Sequence, residues 1–321
     1  MNPIMRFVIL AGLAAFCLQP ARAQPQQQTI KIVFPYPSGG SADAIVRLVA
    51  EQLQKSLGRT VIVENKTGAG GRIGAQAVKD SSPDGSMLLF AAATQFTLQP
   101  HVLTNLGYDP FMDFVPLARV VEFDQALVVA SHVPARTIAE LTAWLRNNPD
   151  QAAYGSPGAG TGAHFVGLEF GRTFGIAMRH VPYRGTPAAL PDLMAGRLPI
   201  YVASIGELIE YHNSGSLRIL ATAGGERSPV VPGIPTLKES GVNIEAPGWF
   251  AFYTTGGTPK AVAERLEKEI AAVVSTPAVR GRIEALGFRA TDLSAESLMR
   301  VQRTQFDTWA AIVKATGYKP E

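Results

Sequence analysis

Short apolar runs alternate with stretches of helical periodicity along the first part of the chain. The run Ile30–Phe34 is short and mostly apolar, which is typical of a buried strand. From Ser41 to Leu57, apolar residues recur at spacings of three and four, which predicts a helix with one buried face. Ser41 is a candidate N-cap for this helix, and Gly58 is a candidate terminating glycine. Further strands are predicted at residues 61–63 and 87–92.

The same alternation restarts near residue 125. Strands are predicted at residues 127–130, 152–155, 179–183, 200–203, 217–223 and 249–253, and helices at residues 138–145, 162–174, 187–195, 208–213, 260–274, 277–286 and 295–316. This order predicts an α/β fold with two domains, each a mostly parallel sheet flanked by helices. Chain crossings near residues 121–125 and 246–249 would give a first domain of residues 24–123 plus 248–321, which holds both termini, and an inserted second domain of residues 124–247.

The N-terminal segment has the layout of a cleaved signal peptide, residues 1–23. A basic residue, Arg6, precedes a short apolar run, and the small residues Ala21 and Ala23 suit cleavage before Gln24. A membrane anchor is the alternative, but the run is too short to span a bilayer. A lipoprotein anchored at Cys17 is disfavoured by the bulky Phe16 before it.

Removal of this leader leaves a nearly neutral chain without cysteine. The chain has 29 basic and 26 acidic residues, and two of the basic ones lie in the leader, so the mature excess is one positive charge. Such a balance gives no electrostatic case for binding nucleic acid. The only cysteine leaves with the leader, so the mature chain cannot form a disulfide bond.

Two Gly-rich junctions, residues 35–43 and 155–164, each follow a predicted strand and open a predicted helix. Glycine lets a ligand approach the backbone, and the N–H groups at a helix N-terminus favour an anion. Two such loops facing one another could hold a carboxylate without any arginine. The alternative is that both are ordinary turns with Ser and Thr caps, and Asp43 is better explained as a first-turn helix stabiliser than as a ligand contact.

Signals for catalysis, metals and cofactors are weak. The chain has no P-loop motif and no Ser in a G-x-S-x-G elbow, its five histidines include no i, i+4 pair, and residues 68–74 miss the spacing of a dinucleotide loop. We therefore predict no catalytic residues, no metal site and no cofactor. Arg184 follows a predicted strand and would either pair with a ligand carboxylate or form a salt bridge at the surface or between the domains.

Several motifs in order resemble the substrate-binding proteins of tripartite tricarboxylate transporters, the Bug receptors. They are PSGGSAD at residues 37–43, VENKTGAGG at 63–71, PDG at 83–85, YGSPGAGT at 154–161, VPYRG at 181–185, PGIPT at 232–236 and WF at 249–250. The resemblance implies a periplasmic type II-like Venus-flytrap fold. It also implies capture of a small organic acid (a di- or tricarboxylate, an aromatic carboxylate or an acidic amino acid) and delivery to membrane transporter subunits. We expect the receptor to be a monomer.

By position, the resemblance assigns ligand contacts to both Gly-rich loops and to the loop after the third strand. Together with Arg184, the candidate ligand-binding residues are Tyr36, Ser38, Gly39, Gly40, Ser41, Asp43, Thr94, Gln95, Ser156, Gly160, Thr161, His164 and Ser204. The stretch of residues 202–206 departs from the family pattern and leaves the contacts of the ligand's distal end unidentified. A periplasmic protein that signals to a membrane sensor is the alternative function, and a secreted enzyme is a less favoured one.

Overall fold

The computed structural model describes residues 29–291 and 293–318. The predicted signal peptide and the start at Gln24 lie outside these residues. The strands are β1 (Ile30–Phe34), β2 (Val61–Asn65), β3 (Met87–Ala92), β4 (Phe114–Phe123), β5 (Gln125–Ala130), β6 (Ala153–Ser156), β7 (Arg179–Pro182), β8 (Ile200–Ser204), β9 (Leu217–Thr222), β10 (Gly248–Thr255) and β11 (Arg289–Ala290).

Helices flank the strands throughout. They are α1 (Ser41–Leu57), α2 (Arg72–Lys79), α3 (Ala93–Thr97), α4 (Gln99–Val102), α5 (Ile138–Asn147), α6 (Gly162–Phe174), α7 (Thr186–Met194), α8 (Ile205–Asn213), α9 (Lys260–Val274), α10 (Pro277–Ala285) and α11 (Ala295–Thr316). Within the described ranges, none of these helices combines the length and the apolar character needed to cross a membrane.

The strands form two sheets, which confirms the α/β two-domain fold. The first sheet has the order β11-β4-β10-β3-β1-β2, and the second has the order β7-β6-β8-β5-β9. Both sheets are mixed rather than mostly parallel. β1 is parallel to β2 and β3, and β6 is parallel to β7 and β8, whereas β5 and β10 are antiparallel to both of their neighbours. Each antiparallel pair of the described strands includes β4, β5 or β10, the strands that adjoin the places where the chain passes between the sheets.

Helix α1 shows how the apolar pattern builds the first core. Its residues Ile45, Val49 and Leu53 are buried among the strands of the first sheet. Full burial of each such side chain contributes roughly 1.5–3 kcal/mol. Gly58 ends the helix in the left-handed conformation, with φ of 60°. The N-cap, however, is Gly40 rather than Ser41, because Gly40 is the last residue with an extended backbone and the helix already includes Ser41.

The chain passes between the sheets at two places, and one helix contacts both. β4 ends at Phe123 and β5 begins at Gln125, while β10 begins at Gly248. These positions fall within the predicted crossings, although the domain bounds themselves stay a prediction. Helix α11 packs Leu298 into a core of the first sheet and Trp309 into the core of the second.

Candidate functional site

The first Gly-rich loop connects β1 to α1 and is held together by Asp43. The Asp43 carboxylate accepts hydrogen bonds from Gly39 N at 3.1 Å, Arg47 Nε at 2.9 Å and Asn65 Nδ2 at 3.0 Å. Burial acts to raise the pKa of Asp43, but these hydrogen bonds, Arg47's first, outweigh it and hold that pKa below its usual value. Gly39 adopts a φ of +95°, a conformation that favours glycine. Asp43 therefore shapes the loop and keeps its charge.

The second Gly-rich loop connects β6 to α6 and is capped by Thr161. The Thr161 hydroxyl accepts a hydrogen bond from His164 N at 3.2 Å and donates one to Gly158 O at 2.8 Å. The first N–H groups of any α-helix have no partner within the helix, and here Gly162 and Ala163 carry two of them at the wall of a cavity. The sequence thus places the N-terminus of α6 at the cavity wall, over a loop fixed by its own hydrogen bonds.

A cavity of about 90 Å³ lies between the two sheets and is lined by residues from both. At roughly 10–15 Å³ per water, this volume suits a few waters or one small molecule. Four helices of nine residues or more, α1, α6, α7 and α8, begin at its wall. A helix N-terminus carries a partial positive charge, which favours an anion where no acidic side chain covers it. Among the lining residues in the described ranges, there is no lysine, arginine or histidine.

The rest of the wall is largely apolar. The aromatic side chains of the wall come from β1 and the residues after it, from β4 and β10, and from α11. They are Phe34, Tyr36, Phe123, Phe250 and Trp309. Burial raises the pKa of Tyr36 to about 12, opposed in part by a hydrogen bond with Thr94. The phenol therefore stays protonated at physiological pH and remains a hydrogen-bonding group at the wall.

Six of the candidate ligand-binding residues line this cavity. They are Tyr36, Gly40, Asp43, Thr94, Thr161 and Ser204. Both Gly-rich loops thus reach one cavity, together with the start of α3 and the N-cap of α8. Their assignment as ligand contacts remains a prediction.

The second-loop residues Ser156, Gly160 and His164 lie beneath the cavity wall and support it. The Ser156 hydroxyl donates to Gly158 O at 2.9 Å and contacts His180 Nε2 at 2.8 Å. Gly160 N donates to His164 Nδ1 at 3.3 Å. These side chains position the second loop from inside the protein.

Gln95 has a supporting place like that of the second-loop residues. Its side chain is fully buried. The amide oxygen accepts from Ala92 N at 3.0 Å, and the amide nitrogen donates to Gly71 O at 2.8 Å. Gln95 thereby ties the start of α3 to the Gly-rich segment before α2.

The remaining candidates lie away from the cavity wall. Ser38 and Gly39 are exposed on the first loop. The Ser41 hydroxyl donates to Gly206 O at 2.6 Å and so joins α1 to α8. Arg184 is exposed and lines a separate outer cavity of about 260 Å³, which the segment before α2 also borders.

Several lining residues were not predicted from the sequence. They are Gln125, Thr186, Glu207 and Trp309, besides the apolar wall. Glu207 lies one residue beyond the stretch 202–206, where the family pattern left the contacts unidentified. Trp309 belongs to the last helix, where the sequence predicted no candidate residue. The position of Thr186 at the start of a predicted helix was the one usable signal.

The comparisons with known proteins agree on one family. Residues 45–318 match the family described as "Tripartite tricarboxylate transporter family receptor". The structure of the periplasmic binding protein BugD has 30% sequence identity and a TM-score of 0.86, covering 91% of this chain and 99% of BugD.

Two solved structures from Rhodopseudomonas palustris share the fold and contain an organic acid. One, with adipate, has 26% identity and a TM-score of 0.87, covering 93% of this chain and all of that one (100%). MatC with bound malate has 25% identity and a TM-score of 0.84, covering 89% of this chain and 98% of MatC. These matches confirm the resemblance to Bug receptors, and the chain belongs to the tripartite tricarboxylate transporter receptor family.

Proposed function

We propose that the chain is a periplasmic receptor that captures a small organic carboxylate between two domains and delivers it to the membrane subunits of a tripartite tricarboxylate transporter. The observation that carries this proposal is the meeting of four helix N-termini at one small cavity whose described lining includes no basic side chain. Backbone N–H groups and hydroxyls are then the donors for an anion.

We assign the ligand carboxylate to the start of α6. Gly162 and Ala163 offer helix N-terminal N–H groups, and Thr161 and Thr186 add hydroxyls at that end. The malate of MatC and the adipate of the second R. palustris protein are both small organic acids, which supports this ligand class for the present chain.

A ligand that touches both domains would explain capture and delivery. The first domain is residues 24–123 plus 248–321, and the second is residues 124–247. Such a ligand favours the closed arrangement, and the closed form is the one a membrane partner recognises. Binding without turnover fits the site. The described Ser–His pair, Ser156 and His180, is not part of the cavity wall, and the Ser156 hydroxyl already donates to a carbonyl.

A thermal-shift screen of the mature chain from Gln24 tests the ligand class. The protein is first unfolded and refolded to remove carried-over ligand, then heated with mono-, di- and tricarboxylates. A ligand at a hundred times its Kd stabilises the fold by about 2.7 kcal/mol, so the Tm rises with dose. We expect a rise with an acid and none with its amide or ester. No shift with any acid would contradict the proposal.

The transport step needs a separate experiment. Immobilised receptor is incubated with detergent-solubilised membranes, with and without the acid found in the screen. Ligand-dependent recovery of the transporter's membrane subunits is the expected result. Recovery of a membrane sensor instead would favour the signalling alternative.

A further inference from the structure

One of the helix N-termini at the cavity is covered by the protein's own carboxylate. Glu207, in the first turn of α8, reaches the start of α1, where its Oε1 accepts a hydrogen bond from Ala42 N at 3.3 Å. The carboxylate packs so closely on the loop that a Cβ at Gly40 would lie 2.7 Å from Glu207 Oε2. Glycine at position 40 therefore makes room for Glu207. The N–H groups that the sequence assigned to a ligand carboxylate at this end already face a negative charge.

No cation compensates this charge within the described ranges. None of the ion pairs there involves Glu207. The nearby Asp43 is another carboxylate, but it is paired with Arg47 at 2.9 Å. Burial raises the pKa of Glu207, the N–H groups of Ala42 and Ser41 oppose that effect, and Asp43 adds to it. Glu207 is half-buried and lacks a cationic partner, so a positive group on the ligand would lower the free energy of the closed form.

The cavity is therefore asymmetric. At the α6 and α7 end, the lining residues are Pro157, Thr161, Gly162, Ala163, Gly185, Thr186 and Pro187, and none of these described residues is acidic. The helix N-termini at that end favour an anion. At the α1 end, Glu207 repels an anion and attracts an N–H donor or a cation. A simple diacid would place its second carboxylate against Glu207.

We propose that Glu207 determines the ligand specificity of this receptor by selecting a zwitterion, with its ammonium at Glu207 and its carboxylate at the start of α6. This proposal rests on the proposed function, because it assumes that the cavity is the ligand site. It adds to that function the nature of the ligand's second charged group. The ammonium donates hydrogen bonds to Glu207, and Thr94 and Ser204 on the same wall supply further acceptors.

Matched pairs of ligands test the proposal. Each pair has the same carbon chain between its ends and differs only in one end: 3-aminopropanoate and succinate, 4-aminobutanoate and glutarate, 5-aminopentanoate and adipate. Affinities of the refolded mature chain are measured by calorimetry at neutral pH. We expect the amino acid of the best-fitting pair to bind at least tenfold more tightly than its diacid. Equal or tighter binding of the diacid would overturn the proposal.

Three variants separate selection from folding. Glu207→Gln keeps the shape and removes the charge, so we expect it to reduce the amino-acid preference at least tenfold. Glu207→Asp keeps the charge and should retain the preference. This variant provides a second test if Glu207→Gln folds poorly. Glu210→Gln is the control, because Glu210 lies on the same helix and is exposed. An unchanged preference in folded Glu207→Gln would refute the role of Glu207.

Failure of this proposal and failure of the receptor function give different results. If diacids and monocarboxylates bind but the amino acids gain nothing, only the zwitterion proposal fails. If no member of any pair binds and no other carboxylate binds, the receptor proposal fails as well.

Discussion

The imidazole rings of His164 and His180 stack with their centroids 4.0 Å apart and their planes 12° from parallel. His164 Nδ1 accepts a hydrogen bond from Gly160 N at 3.3 Å, and its ring is buried beneath the second Gly-rich loop. An accepting Nδ1 carries no proton, so this arrangement requires His164 to be neutral. The loop that begins α6 thus rests on an uncharged histidine.

Because His164 is buried in its neutral form, we predict that the free energy of unfolding falls at acidic pH. Burial lowers the pKa of His164 from 6.5 to about 4. The unfolded chain therefore takes up a proton near pH 6.5 while the folded chain does not. The folded state has its full stability above pH 6.5 and loses stability as the pH falls from 6.5 towards 4. The loss of unfolding free energy is about 2–3 kcal/mol at pH 4.5. Urea unfolding at pH 7.5 and pH 4.5 measures this difference.

Comparison with two variants isolates the contribution of His164. In His164→Gln, we expect the difference in unfolding free energy between the two pH values to shrink by about 2 kcal/mol, whatever the variant costs at pH 7.5. His132→Gln should leave the difference unchanged, because His132 is exposed. An undiminished difference in His164→Gln would mean that other groups cause the acid sensitivity.

A second prediction concerns Thr161, which caps α6 at the cavity wall. Thr161→Val removes the oxygen that accepts from His164 N, and loss of such a cap costs about 0.5–2 kcal/mol in stability. The same change loosens the N–H groups of Gly162 and Ala163 at the cavity, so ligand affinity should fall several-fold. Unfolding by urea and calorimetric titration with the identified acid measure the two effects.

Thr137 provides a matched control for the cap. Its hydroxyl accepts from Glu140 N at 3.1 Å and caps α5, which does not line the cavity. Thr137→Val should therefore lower stability by a similar amount and leave the affinity unchanged. Equal affinities in both variants, with both folded, would remove the start of α6 from the ligand site.

The features that were predictable from the sequence are those set by neighbouring residues. The spacing of Ile45 and Val49 predicted α1, and a glycine placed after Leu57 predicted its end. The two Gly-rich junctions were predicted at the start of helices because glycine, Ser and Thr have strong local preferences there. Strand β4 was not predicted, since Pro116 and Arg119 interrupt its apolar run and its partner β10 lies far along the chain.

The missing part of the site depends on long-range contacts. Glu207 and Ala42 are 165 positions apart, and the helical spacing around Glu207 contains no sign of their contact. The same holds for the Ser41 hydroxyl. The sequence predicted it as a helix cap, whereas in the structure it donates a hydrogen bond across the cleft to Gly206 O. The local sequence pattern was enough to locate the two Gly-rich loops. The Glu207 carboxylate that faces the first loop is brought there by the packing of the two sheets.

Trp309 offers an intrinsic reporter of binding. It is one of three tryptophans, lines the cavity, and packs edge-on against Phe165 with ring centroids 5.7 Å apart. A ligand in the cavity changes the surroundings of this indole, so we expect a dose-dependent change in tryptophan emission. Trp309→Phe should abolish the change, and Trp144→Phe should keep it, because Trp144 is not part of the wall. Persistence of the full change in Trp309→Phe would place the ligand elsewhere.

The hydrogen bond from Ser41 to Gly206 joins α1 to α8 and therefore links the two sides of the cleft. At 2.6 Å it is short, and a bond of this type contributes about 0.5–1.5 kcal/mol. If it forms only when the cleft is closed, Ser41→Ala weakens ligand binding several-fold, because part of the binding energy must replace it. Calorimetric titration measures the affinity, and Ser214→Ala, at an exposed hydroxyl on the far end of α8, is the control.

Because Ser41 is not part of the cavity wall, a lower affinity in Ser41→Ala would reflect closure of the cleft rather than contact with the ligand. An unchanged affinity would mean that the bond persists in the open form and contributes equally to both states.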